Sequence, residues 1–180
     1  VWTSDCIDAM SRVDIQRGFL QFFPPEIMGA HVGSARAHTT GRTQSMAFRA
    51  AVALPGHLGV ELDARVLSDA DAAELKAWIQ MYKDLRDRLH HGSVWPQPTN
   101  HRYTPRLPLP MLDTQAHYRV KQVLPAGTVL PSGAHNTAPF FDALNTADGV
   151  VLDGGWLRHA GLPLPRTQAE TAFIVRLTRV

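Results

Sequence analysis

Cysteine is nearly absent from the chain: Cys6 stands alone among 180 residues, so no intrachain disulfide can form. That leans towards a reducing compartment, and a cytoplasmic location is the expectation. Neither sign of charge dominates, because 18 Lys and Arg face 16 Asp and Glu for a net charge of +2. The pI near 9.0 reflects this small surplus rather than a basic patch, so neither nucleic acid nor an anionic membrane is an expected partner. No apolar run reaches the roughly 18 residues of a membrane-spanning helix. Val1 to Asp8 show no basic n-region and no apolar h-region, so no secretory signal is read there. Nucleotide-binding glycine loops, the G-x-S-x-G elbow and the H-E-x-x-H zinc motif are all missing. His31, His38 and His57 lack the spacing of metal ligands. The expected cofactor set is therefore empty. A start at Val1 instead of Met suggests a piece of a longer chain.

What is present changes character near Gly92. Residues 1–92 contain three of the 13 prolines, and the remaining residues contain ten. The first part holds 10 basic and 11 acidic residues, the second 8 and 5. Two domains are expected, residues 1–92 and 93–180.

In the first, helical spacing over Asp8–Phe23 runs into Pro24-Pro25, which removes a backbone donor and restrains the preceding residue. The run from Ile27 to Val32 reads as a buried strand, Thr43–Leu54 as a helix, and Leu58–Leu62 as a second strand. Ser68 then offers an N-cap, with Asp69 and Asp71 in the first turn. Leu75, Trp78, Ile79, Tyr82, Leu85 and Leu89 form an apolar stripe, and Gly92 closes the helix as a C′ residue. His90-His91 at that end complement the helix dipole. Helices alternating with short apolar strands imply parallel βα units. The second part reads as β structure, with strands expected at His117–Leu124 and Thr171–Val180.

Asp5 and Asp8 precede the first helix. In parallel βα units, groups at the C-terminal ends of strands carry chemistry, and a carboxylic acid with a tuned pKa serves there as a general acid. The same spacing also suits an N-cap and a first-turn acid, and spacing alone leaves both readings open. Trp2 is either a ring that packs on a flat ligand or a core residue. Glu61 and Asp63 close the second strand, where a site residue or a surface turn are alternatives.

The stretch Trp2-Thr-Ser-Asp5-Cys-Ile-Asp8, followed by Arg12 and Ile15-Gln16-Arg-Gly18, resembles a W-x-S-D-x-x-D, R, I-Q-x-G signature. That signature belongs to the bacterial family 36 α-galactosidases. Pro24–Val32, Thr40–Arg42, Phe48–Ala53, Gly56–Asp63, Tyr82-Lys83 and His91-Gly92 continue the likeness. Leu109–Asp113, Tyr118–Val120 and Gly155–Pro165 resemble that family's C-terminal domain. The resemblance implies the last βα units of a TIM (β/α)8 barrel followed by a small antiparallel β-sandwich-like domain. Val1 then falls at the end of barrel strand 6, the His31 run is strand 7, Leu58–Leu62 is strand 8, and the long helix is the last of the barrel.

It further implies a retaining hydrolase that releases terminal α-linked galactose from oligosaccharides of the melibiose and raffinose type. Asp5 becomes the general acid/base, Trp2 lines the galactose subsite, and Ser4 and Asp8 support substrate binding. α-Galactoside oligosaccharides are the expected partners, and the parent is expected to be a homo-oligomer. Two departures qualify this. The nucleophile's K-x-D-x-N motif is missing, so the chain by itself is expected to be inactive. A short Pro-rich link after Gly92 replaces a longer stretch, so the sandwich is expected to be shortened. The competing readings are a non-catalytic carbohydrate-binding or subunit-interaction module, and a related glycosidase acting on N-acetylgalactosamine or transferring galactose.

Overall fold

The structure is a computed structural model that describes residues 1–93, 106–123, 139–164 and 172–180. It divides into two units, the first containing residues 1–93 and the second the remaining described residues.

The first unit is built of parallel strands and helices in alternation. Trp2 makes a parallel bridge to Gly29, and the Gly29 N–H donates to the Val1 carbonyl at 2.7 Å. Beside this segment runs β1 (Gly29–Gly33), which pairs in parallel with β2 (His57–Glu61) in the register Gly29↔His57, His31↔Gly59 and Gly33↔Glu61. Each segment leads into a helix: α1 (Ala9–Phe19), α2 (Met46–Ala53) and α3 (Asp69–His91). Central β1 is buried almost throughout, whereas β2 is exposed along much of its length. Ala30 and Val32 of β1, Ala50 and Ala53 of α2, and Trp78 of α3 form the fully covered core. Apolar burial of this kind is the main stabilising term for such packing.

Local chemistry sets the boundaries. α1 stops at Phe19, four residues short of expectation, because the chain tightens into turns in which the Phe22 and Phe23 N–H groups both return to the Phe19 carbonyl. Pro25 then opens a short 3-10 turn over Pro25–Ile27. α2 starts at Met46 rather than Thr43. Thr43 is held extended by its bridge to Arg36, and the Ser45 side chain accepts from the Phe48 N–H as N-cap. Ser68 caps α3 as expected. Gly92 ends that helix with φ of −86°, so the left-handed C′ conformation is not used. His91 Nδ1 lies 2.9 Å from the Asp87 carbonyl, but His90 turns inward and stacks on His57 at 4.1 Å. Burial, with His57 and His91 nearby, lowers the His90 pKa, so it does not act as a cation for the helix dipole.

The second unit has β4 (His117–Gln122) at the centre of an antiparallel sheet, between β5 (Val150–Asp153) and β7 (Val175–Arg179). A separate antiparallel pair joins β3 (Arg106–Leu107) to β6 (Leu162–Pro163). Two short helices not foreseen in the sequence, α4 (Pro139–Leu144) and α5 (Gly154–His159), complete it. Tyr118, Val120, Leu144, Leu157 and Leu162 make its core. Residues 94–105 of the Pro-rich link, which ends at Arg106, lie outside the described residues, as do the end of the strand expected at His117–Leu124 and the start of the one expected at Thr171.

Candidate active site

The site lies where the first extended segment leaves the sheet. The Trp2 bridge to Gly29 puts the indole beside β1, and the chain then turns over residues 3–8 into α1. Trp2 remains 51% exposed. Its Nε1–H donates to Asp5 Oδ1 at 2.7 Å. One face of the indole lies flat on the imidazole of His31, with ring centroids 4.6 Å apart and planes 7° from parallel.

His31, at 2% exposure, forms the floor. Its Nε2 lies 3.1 Å from Glu61 Oε2, close enough for an ion pair but off the line of a hydrogen bond. Burial lowers the His31 pKa, Arg12 lowers it further, and the Glu61 and Asp5 carboxylates only partly oppose this. The ring is therefore neutral near pH 7. Sequence reasoning placed Glu61 at a strand end, and the structure brings it into this cluster. It gave His31 no role; the signal lies in the parallel register, which puts Trp2 and Gly29 abreast two residues before His31.

Arg12 reaches back from α1 to the same loop. Its Nη1 donates to the Ser4 and Cys6 carbonyls, each at 3.0 Å, and its Nη2 to Thr3 Oγ1 at 3.2 Å. The Ser4 hydroxyl oxygen accepts from the Cys6 N–H at 3.1 Å, which shapes the turn.

Asp8 takes the N-cap position, one of the two readings its spacing left open. It is fully buried and caps α1, accepting from the Met10 and Ser11 N–H groups. Thr40 Oγ1 and Gln44 Nε2 donate to the carboxylate, and Arg42 Nε lies 2.9 Å from Oδ2. Burial alone would raise its pKa. The Thr40 hydroxyl, the Arg42 charge and the two backbone donors outweigh it and hold Asp8 below the ordinary carboxylate value. Its oxygens are sealed and occupied, so in this unit Asp8 anchors the start of α1. Of the four residues expected at the site, Trp2 and Asp5 are exposed together, Ser4 is part of their turn, and Asp8 lies behind it. Asp63 caps a turn and pairs with Arg65. Among the described residues no group of three His, Cys, Asp or Glu side chains is placed to hold a metal ion.

Parallel βα units gather chemistry-bearing groups at the C-terminal ends of their strands, which is where Trp2 and Asp5 stand. The melibiase family model matches residues 1–92, and the chain belongs to the melibiase family. An alpha-galactosidase of Escherichia coli is 31% identical over 209 residues, covering 99% of this chain and 29% of that protein. A bifunctional alpha-galactosidase/sucrose kinase of Mediterraneibacter gnavus is 31% identical over 179 residues, covering 92% of this chain and 18% of that protein. A solved α-galactosidase of Geobacillus stearothermophilus, in complex with stachyose, superposes with a TM-score of 0.70 at 25% identity. It covers 98% of this chain and 25% of that chain. A raffinose complex of a protein from the same organism gives 0.68 at 25% identity, covering 97% and 25%. The chain thus spans less than a third of the length of these relatives.

Proposed function

We propose that this chain contributes the last βα units of a retaining α-galactosidase barrel and part of its C-terminal β domain, with Asp5 as general acid/base. The observation that carries the reading is the 2.7 Å hydrogen bond from the Trp2 indole to Asp5 Oδ1. A neutral donor fixes the carboxyl while leaving Oδ2 for the leaving oxygen. In the first step Asp5 protonates the glycosidic oxygen of an α-linked galactose. In the second it takes a proton from the water that releases the sugar. Trp2 offers its free face to the apolar side of galactose. The relatives named alpha-galactosidase, and the raffinose and stachyose complexes of similar proteins, support this substrate class.

Retaining chemistry needs a second carboxyl about 5–5.5 Å from the first. No K-x-D-x-N motif supplies it here, so the chain by itself is expected to turn over nothing. The test has two arms. The purified chain is assayed with an aryl α-galactoside, and turnover abolished by Asp5→Asn overturns the expectation of inactivity. A complete melibiase carrying this sequence is compared with its Asp5→Asn variant. A loss of roughly 10²–10⁴-fold is expected on an oligosaccharide, with a smaller loss on an activated aryl leaving group. Equal losses on both contradict the acid/base role.

The half-exposed Trp2 ring also favours a second reading, a carbohydrate-binding module without turnover. Saturable quenching of Trp2 fluorescence by galactose, absent in Trp2→Phe, with no activity in the complete enzyme supports that reading instead.

A further inference from the structure

A guanidinium buried away from water normally takes a carboxylate, because the two forks match and the charges offset their desolvation. Arg12 is 1% exposed and makes no ion pair with a carboxylate among the described residues. Its hydrogen bonds go instead to neutral oxygens of one short segment: Thr3 Oγ1, the Ser4 carbonyl and the Cys6 carbonyl. Its Nε is buried with no hydrogen-bond partner. The three acceptors bracket Asp5 on both sides. Thr3 passes the restraint on, since its own hydroxyl donates to the Gly29 carbonyl of β1 at 2.9 Å. A sealed cation is thus committed to the four residues that present one exposed acid.

We propose that Arg12 is a positioning residue for Asp5. By tying down Thr3, Ser4 and Cys6 it fixes the backbone on each side of residue 5, and so sets the contact between Trp2 Nε1 and Asp5 Oδ1. The planar fork is what the task requires, since one nitrogen spans two carbonyls while the other reaches a hydroxyl. A lysine has one ammonium and cannot hold all three acceptors at these distances. The inference rests on the reading of Asp5 as the general acid/base for its catalytic meaning, but the geometry it asserts is testable without substrate.

The test is a proton–nitrogen NMR spectrum of the full chain at neutral pH, following the indole N–H of Trp2, which is identified by its loss in Trp2→Phe. In the unsubstituted chain that resonance is expected downfield of a free indole, as a hydrogen-bonded N–H is, and Asp5→Ala is expected to return it to the free position. In Arg12→Lys and Arg12→Gln the resonance is expected to move towards that of a free indole, by at least half of the shift that Asp5→Ala produces. The indole N–H of Trp78, identified by Trp78→Phe, reports the core and is expected to stay in place. A Trp2 resonance with unchanged position in both Arg12 variants overturns the proposal. If the Trp78 signal shows that both variants unfold, Thr3→Val decides. It removes one acceptor, so a partial move towards the free-indole position supports the proposal and an unchanged position overturns it. Failure of the leaving-group test on Asp5→Asn strikes the catalytic reading and leaves this measurement untouched, so the two failures are distinguishable.

Discussion

The imidazole of His31 lies parallel to the indole of Trp2 at 4.6 Å and carries it from below. A stacked aromatic pair contributes about 0.5–1.5 kcal/mol beyond its burial, and emptying the buried position adds a cavity cost. His31→Ala is therefore expected to destabilise the chain by about 1–3 kcal/mol in urea titrations. It should also shift Trp2 emission to the red, relative to a Trp2→Phe blank. His31→Phe restores a flat floor and is expected to recover the emission. Unchanged Trp2 emission in His31→Ala means that the stack does not hold the indole.

Acid should weaken the first unit through two buried histidines. His31 and His90 both have pKa values lowered from the usual 6.5 by burial. Arg12 adds to this at His31, against Glu61 and Asp5; His57 and His91 add to it at His90, against Glu26 and Asp87. Tyr82 Oη also lies 2.9 Å from His90 Nε2. The unfolded chain therefore binds protons more readily than the folded one below about pH 6.5. The stability from keeping both rings neutral is complete above that pH and is lost as pH falls. Each ring contributes a slope of at most about 1.4 kcal/mol per pH unit. Urea unfolding at pH 7.5, 6.0 and 5.0 should show the decline, and His90→Phe should flatten it. Equal stability at pH 7.5 and 5.0 rules this account out.

Asp8 separates stability from recognition. It is the N-cap of α1 and the partner of Arg42 and Thr40. Asp8→Ala loses the cap and charge-assisted hydrogen bonds, an expected cost of roughly 2–4 kcal/mol. Arg42 is half-exposed and can rehydrate, which keeps the cost below that of a fully buried broken pair. Asp8→Asn retains the shape and some acceptors and is expected to cost about 1 kcal/mol. Any galactoside affinity of the folded protein is expected to stay within about twofold for Asp8→Asn. A tenfold loss with unchanged stability restores a direct role in binding.

How far the sequence discloses this arrangement depends on how local each signal is. Ser68 and the stripe through Leu75 and Trp78 define α3, because capping and helical period act within a few residues. Trp2 and Asp5 stand out in a contiguous signature. The Asp8 cap was one of two readings that spacing left open, and only burial by Thr40, Arg42 and Gln44, more than thirty residues away, decides it. The contact of His31 with Trp2 depends on parallel register between segments, which no local pattern encodes. α4 and α5 are missed because six residues are too few to show a helical period. In α5, moreover, Gly154-Gly155 reads as a break, although Asp153 caps the turn by accepting from the Trp156 N–H at 2.8 Å.

The second unit contains a backbone test of its own. Gly161 has φ of +85°, and a Cβ there would lie 2.7 Å from the carbonyl carbon of Leu107 and from the nitrogen of Pro108. Both atoms are backbone, beside the pairing of Leu107 with Leu162 that joins β3 to β6. Gly41 has a similar φ of +72° with nothing within 4 Å of the added carbon. The two glycines therefore share the left-handed strain and differ in crowding. Gly41→Ala is expected to cost about 1–2 kcal/mol from strain alone. Gly161→Ala adds overpacking against atoms that cannot rotate away, for roughly 2–5 kcal/mol in total. Hydrogen exchange should localise the difference: the amide of Leu162 loses protection in Gly161→Ala and keeps it in Gly41→Ala. Equal costs for the two substitutions mean that β3 yields without resistance and that the approach of Gly161 to Leu107 is not a packing constraint.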